Sequence, residues 1–342
     1  MPSDAVEVEE AGFLQKFMWF WNKAGVFVVL VAVWVILAVL SRGMALGGAN
    51  VINVIRQVSI IGVIAVGMTG VILLGLIDLS VGSIVAFTGI IIAAIQVWWM
   101  KGQNEYLTLL ICIVVAIAAG AAVGFFNGFV STKGRIHPFI VTLGSLTIFR
   151  GATMFVGGGR PITGMSQAFR YIGAGELFKD YLPWGLFIPV PMVVFLVIVA
   201  IAAFVLRKTA FGRSIYAIGG NQEAAYLSGI MVDRVKIATF TILGGLCGVS
   251  SLILTSRLNS GEVVAGQGYE LDVIASVIIG GTSMNGGEGG VIGTLAGALL
   301  IGVIQNGLNL LMVQPYWQLV VKGAIIILAV LMDRLQRSFQ TL

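Results

Sequence analysis

Two carboxylates stand beside apolar runs of this chain: Asp78, within Gly75–Ser83, and Asp272, within Glu270–Ser276. A charged acid in hydrocarbon costs about 3 kcal/mol on insertion scales, so each is a functional candidate by default. Each Asp also opens a new apolar run, where its carboxylate could accept from the free N–H groups of a helix's first turn. Ion relay, gating, substrate contact and helix capping are therefore all open. Uncharged polar residues are scattered through neighbouring apolar stretches, among them Ser80, Asn127, Thr142 and Asn306. Such groups can hydrogen-bond a polyol, and they can equally bridge helices. Asp78, Ser80, Asn127, Thr142, Asp272 and Asn306 form the candidate pathway or gating set.

No other grouping suggests a reactive centre. His137 is the single histidine, and Cys112 and Cys247 lie in apolar runs without metal-ligand or redox spacing. The glycine-dense run Gly280–Gly290 lacks the Gly-x-x-x-x-Gly-Lys-Ser/Thr order of a phosphate-binding loop. It reads as a tight connection in which glycine permits close backbone approach. The residues give no reason to expect an enzyme, a metal or a cofactor.

These residues must be positioned by spans. The chain has 342 residues, 58% hydrophobic and only 10% charged, against about 25% charged in soluble domains. Its mean hydropathy is +1.02. This composition reads as an all-α membrane protein. A closed β-barrel is excluded, because Val26–Leu40 is apolar on every side rather than alternating.

Ten apolar segments lie near Val26–Leu40, Ser59–Gly75, Val81–Met100, Leu107–Val130, Pro138–Val156, Leu186–Leu206, Val235–Thr255, Leu271–Ser283, Val291–Val313 and Trp317–Met332. Leu271–Ser283 is too short to cross alone and reads as a half-helix or a broken span. Lys133, Arg135, Arg207, Lys208, Arg213, Arg234, Lys236, Arg334 and Arg337 would then share one side, which the positive-inside rule makes cytoplasmic, with both termini inside. The expected organisation is a tail over 1–24, one transmembrane domain over 25–333 and a tail over 334–342. The basic charge speaks for membrane orientation and against nucleic acid. Glycines at Gly120, Gly124 and Gly128, and at Gly293 and Gly297, predict closely packed helices. The surroundings of Asp78 and Asp272 form a weak internal echo, as repeated transporter halves with broken helices do.

The polar connection over 207–236 runs from Arg207-Lys208 to Lys236. Within it Asn221 can cap a helix of about two turns, with Glu223 in its first turn and Gly229 as its stop. Ala224 and Ala225 are small enough to let that helix sit in a groove.

Glu223-Ala224-Ala225, three residues and then Gly229 resemble the coupling loop of ABC importer permeases, which docks on a cytosolic ATPase. The Leu-Pro continuation of the maltose-type subgroup is absent. Ala65–Thr69, Ile77–Ser83, Gly219–Ala225, Ser228–Ile230, Gly268–Ala275, Ile279–Ser283 and Gln305–Leu310 together resemble the permease subunits of monosaccharide importers of the ribose, xylose and galactose type. The resemblance covers about Asn50 to Asp333. It implies a cytosolic ABC ATPase, a periplasmic sugar-binding protein, a second permease chain (identical or a close paralogue) and a monosaccharide substrate such as ribose. It implies the inner membrane of a bacterium, and ATPase coupling through Asn221, Gln222, Glu223, Ala224, Ala225, Ser228 and Gly229. The alternative is a stand-alone proton- or sodium-coupled transporter with Asp78 or Asp272 carrying the ion.

Overall fold

A computed structural model describes residues 25–179, 181 and 187–340. The helices are α1 (Gly25–Leu40), α2 (Gly48–Leu73), α3 (Val81–Ala94), α4 (Glu105–Lys133), α5 (Pro138–Gly157), α6 (Gln167–Ala174), α7 (Val190–Lys208), α8 (Ala210–Gly220), α9 (Gln222–Leu227), α10 (Val232–Leu258), α11 (Tyr269–Ile279), α12 (Val291–Leu310) and α13 (Pro315–Gln340). Helix is what a chain this apolar must form, because lipid offers the backbone no hydrogen-bond partners. Among the described residues seven helices are long and apolar enough to cross a membrane: α2, α3 with its following turn to Trp99, α4, α5, α7, α10 and α12. All ten apolar segments read from the sequence fall on helices, but the apolar parts of α1 and α13 are shorter. Helix α11 has only 11 residues. Helix α13 continues through residue 334, where a separate tail was expected. The expected tail over 1–24 lies outside the described residues.

Local signals fix the helix ends. Asn104 Oδ1 accepts from the N–H groups of Tyr106 and Leu107 to start α4. His137 caps α5, its Nδ1 accepting from Phe139 N, with Pro138 at the first helical position.

The bundle has two distinguishable ends. At one, β1 (Ile162–Thr163) pairs antiparallel with β4 (Ser260–Gly261), and β2 (Glu176–Leu177) with β3 (Ile188–Pro189). At the other lie α8, α9 and the glycine-dense loop. Helices α2, α3, α10 and α12 are mostly buried, whereas α4, α5 and α7 turn most of their surface outward. The outward residues are large and apolar, such as Phe125, Ile140, Phe155 and Phe204, as a lipid-facing belt requires.

The predicted glycine packing is present and two-sided. A Cβ at Gly120 would overlap the Gly244 carbonyl, and one at Gly124 the Phe240 carbonyl. From the facing helix, a Cβ at Gly244 would overlap the Gly120 carbonyl, and one at Gly248 that of Ala116. Helices α4 and α10 therefore meet backbone to backbone, which only small residues permit. Gly293 and Gly297 bring α12 against the Gly280 and Ser276 carbonyls of α11 in the same way.

Two spans are discontinuous, and they run in opposite directions. Helix α2 starts at the strand end, where Arg56 donates to the Ala174 carbonyl at 3.1 Å and to Glu176 at 3.3 Å. It ends at Leu73, against α8 and the glycine loop. The chain returns through the irregular stretch 74–80 before α3 resumes toward the strand end, where Gln96 Oε1 accepts from Ser166 N at 3.1 Å. Conversely, α10 rises to β4, and 262–268 then descends irregularly before α11 continues to the glycine loop. At about 1.5 Å per residue, α11 covers about half of a ~30 Å hydrocarbon core. The beginnings of α3 and α11 meet: a Cβ at Gly82 would overlap the Gly266 carbonyl and crowd the Glu270 carboxylate. Helix α5 packs on α3 as α13 packs on α11, and α4 on α10 as α12 on α2. These pairings suit two inverted halves, and the weak echo around the two Asp residues falls beside the two breaks.

Candidate functional site: the α8–α9 surface and the buried polar groups

The connection over 207–236 holds two helices, not the single one read from sequence. Thr209 Oγ1 caps α8 by accepting from Gly212 N at 3.2 Å, and Asn221 Oδ1 caps α9 by accepting from Ala224 N at 2.9 Å. The chain leaves α9 through Gly229 at φ 84°, the left-handed region where glycine carries no Cβ penalty. Of the two alanines, Ala225 is buried against the protein and Ala224 is exposed. Ser228 Oγ donates back to the Ala224 carbonyl at 2.8 Å. Gln222 Oε1 accepts from Lys236 Nζ at 2.7 Å, fastening α9 to α10.

Helix α9 and the turn that follows it present apolar side chains outward. Tyr226 is 70% exposed, Leu227 78% and Met231 57%. Beside them a groove of about 830 Å³ is walled by Gln222, Glu223 and Tyr226 on one side and by Arg135, Ile136 and His137 on the other. Asp233, also on its wall, pairs with Lys133 at 2.8 Å. An apolar knob next to a charged groove suits a protein partner, and it carries no catalytic arrangement.

Inside the bundle, three of the six candidate pathway residues converge. Asp78 Oδ1 accepts from Ser80 N at 2.7 Å and Ser80 Oγ at 2.6 Å. Asn127 Nδ2 on α4 donates to Ser80 Oγ at 2.8 Å and approaches Asp78 Oδ2 at 3.4 Å. All three are fully buried. Asp78 therefore braces the turn ahead of α3 instead of capping the helix, whose N-cap is Ser80.

The other three go elsewhere. Asp272 sits within the first turn of α11, where Gly268 is the N-cap, and its Oδ2 accepts from Lys322 Nζ of α13 at 2.8 Å. Asn306 of α12 exchanges amide hydrogen bonds with Asn50 of α2 at 2.9 and 3.0 Å. Thr142 bonds back to the Phe139 carbonyl at 3.3 Å. Arg150 of α5 donates to the Val263 and Ala265 carbonyls at 3.1 and 2.8 Å. It holds the irregular stretch of the second broken span. Among the described residues no group of three or more His, Cys, Asp or Glu side chains could hold a metal ion.

Sequence reading missed Tyr216, whose Oη donates to the Gly289 carbonyl at 2.9 Å. Burial raises its phenol above the ordinary value, with Arg207 acting in the opposite direction, so the group stays a donor at neutral pH. The paired glycines of both segments, Gly219-Gly220 and Gly286-Gly287, were the available signal that the two backbones touch.

Residues 50–330 match the family model described as the permease component of a branched-chain amino acid transport system. The chain is 45% identical to the ribose import permease protein RbsC of Bacillus subtilis over 92% of this chain and 93% of that one. It is 38% identical to the D-allose transport system permease protein AlsC of Escherichia coli over 94% of each. With the xylose transport system permease protein XylH of Haemophilus influenzae the figure is 35%, over 90% and 96%. No solved structure matches. The chain belongs to this family of import-system permeases, and it is a multi-pass membrane subunit of an ABC importer and not an enzyme.

Proposed function

We propose that the chain carries a monosaccharide, with ribose as the first candidate, from a periplasmic binding protein to the cytoplasm, driven by a separate ATPase. The observation that carries this reading is α9: a capped, six-residue helix seated on the bundle through Ala225, with Tyr226, Leu227 and Met231 exposed beside a charged groove. In this reading the α8–α9 end faces the cytoplasm, and ten spans cross with both termini inside. The strand end receives the binding protein. A second permease chain, identical or closely similar, completes the pathway. Orientation rests on α9 more than on charge, since Arg56 and Arg257 add cations to the strand end.

Relatives named for ribose, allose and xylose support a neutral sugar as cargo. The buried polar groups agree: Asp78 is spent on Ser80 and Asn127, and Asp272 on Lys322. Co-purification with the co-expressed ATPase tests the docking surface. Glu223→Lys and Gly229→Val are expected to reduce recovered ATPase or to abolish coupled uptake, with the chain still folded in the membrane. Normal recovery and uptake in both variants would remove α9 as the docking element.

A further inference from the structure

The glycine-dense loop between α11 and α12 touches α8 and the end of α2 as well as the two helices it joins. Its interior is folded by its own hydrogen bonds. Ser283 N donates to the Glu288 carbonyl at 3.0 Å, and Gly286 N to the Ser283 carbonyl at 3.1 Å. Asn285 N donates to Ser283 Oγ at 3.1 Å, and Gly290 N to Thr282 Oγ1 at 3.3 Å. The loop is therefore a compact knot rather than a slack tether.

On one side the knot meets α8. Tyr216 Oη donates to the Gly289 carbonyl. An added Cβ at Gly287, where φ is +75°, would lie 2.9 Å from Gly220 N and 3.0 Å from its Cα. On another side it meets the end of α2. Gly287 N donates to the Leu73 carbonyl at 2.9 Å, one of the final carbonyls that a helix cannot satisfy internally. Gly219 packs so closely on that same carbonyl that no Cβ fits. Gly75, the second residue after α2, lies against Asn285. Covalently, the knot continues the C-terminus of α11 and precedes α12.

The first broken span leaves Leu73 and reaches Asp78 within five residues, and the second ends at Gly280. We infer that loop 280–290 is the relay through which displacement of α8–α9 reaches both discontinuous spans, with Tyr216, Gly219 and Gly287 as its positioning residues. The inference rests on the importer reading above. Compact backbone packing suits the role, because close-packed elements transmit strain instead of absorbing it.

Two variants separate relaying from folding. Tyr216→Phe removes one hydroxyl and keeps the ring. Gly287→Ala places a methyl against Gly220. Gly220→Ala, whose methyl would point into open space, serves as the control. The full importer, with its ATPase and binding protein, is reconstituted in proteoliposomes and assayed with ribose, xylose and allose. Sugar imported per ATP hydrolysed is expected to fall about fivefold in Tyr216→Phe, the effect of one net hydrogen bond. It should fall further in Gly287→Ala, with ATPase recovery and ATP turnover retained and Gly220→Ala unchanged.

Hydrogen–deuterium exchange supplies a readout that does not depend on the sugar. ATP should alter exchange over 74–80 in the unmodified complex, and in both variants this change should be confined to α8–α9. If the unmodified chain shows no ATP-driven uptake, the importer reading and the relay both fall. If it couples normally and both variants keep the coupling ratio and the response at 74–80, the relay alone is overturned.

Discussion

Lys322 and Asp272 show how sequence context misleads about a buried acid. Read along the chain, Asp272 opens an apolar run and suggests a cap, but its partner lies 50 residues away on α13. The Asp272 side chain is 3% exposed and that of Lys322 19%. Removing one member of such a pair strands the other, at a cost of about 3–5 kcal/mol, whereas replacing both with apolar residues is close to neutral. Lys322→Met should therefore lower the thermal midpoint in detergent markedly, and Lys322→Met with Asp272→Leu should recover most of it. At Asp78 the carboxylate satisfies Ser80 N and Ser80 Oγ. Asp78→Ala leaves those donors unpaired in the interior, at about 1–3 kcal/mol each. Asp78→Asn, which keeps an acceptor oxygen, should be the milder change in the same melting experiment. Equal midpoints for the two would show that the turn ahead of α3 does not depend on this acceptor.

Between elements, the decisive chemistry is the absence of side chains where α4 and α10 cross. Gly124→Leu or Gly244→Leu would force backbones apart along the whole contact and should abolish recovery of monodisperse protein. Gly144→Ala and Gly151→Ala, whose added methyls would meet nothing within 4 Å, should be recovered at wild-type yield. Size-exclusion chromatography after membrane extraction distinguishes these outcomes. At the strand end, Lys179 and Arg56 hold the Glu176 carboxyl below its usual range. A depressed carboxylate pKa gives stability that is present above the unfolded value and lost as pH falls through the folded one. The β2–β3 pairing should thus lose amide protection as the pH falls through the Glu176 titration, once hydrogen-exchange rates are corrected for the slower intrinsic exchange in acid. Much at this scale was legible in the chain. Spacing of Gly120, Gly124 and Gly128 announced close packing, and Asn221, Glu223 and Gly229 announced α9 almost to the residue. Helix α8 was not legible, because its apolar residues Phe211, Ile215 and Ile218 are interleaved with Arg213 and three glycines. Pairings such as Asn50 with Asn306 were also hidden, since amides 256 residues apart leave no local pattern.

For the whole molecule, two inverted halves place one broken span in each, with their helix starts back to back at Gly82 and Gly266. Such junctions can shift as units, because the irregular stretches 74–80 and 262–268 are not held by a continuous hydrogen-bond ladder. The sequence hinted at this only through Asp78 and Asp272, which occupy different positions relative to their helix starts and so align poorly. In the proposed relay, the shared end of α2, α8 and the loop over 280–290 connects the ATPase to both junctions. The most direct measurement of that account is sugar uptake into proteoliposomes containing the chain, its co-expressed ATPase and binding protein. Uptake of ribose or a related monosaccharide should require ATP and the ATPase, and should be lost in Glu223→Lys. Uptake sustained by a proton or sodium gradient without the ATPase would contradict it.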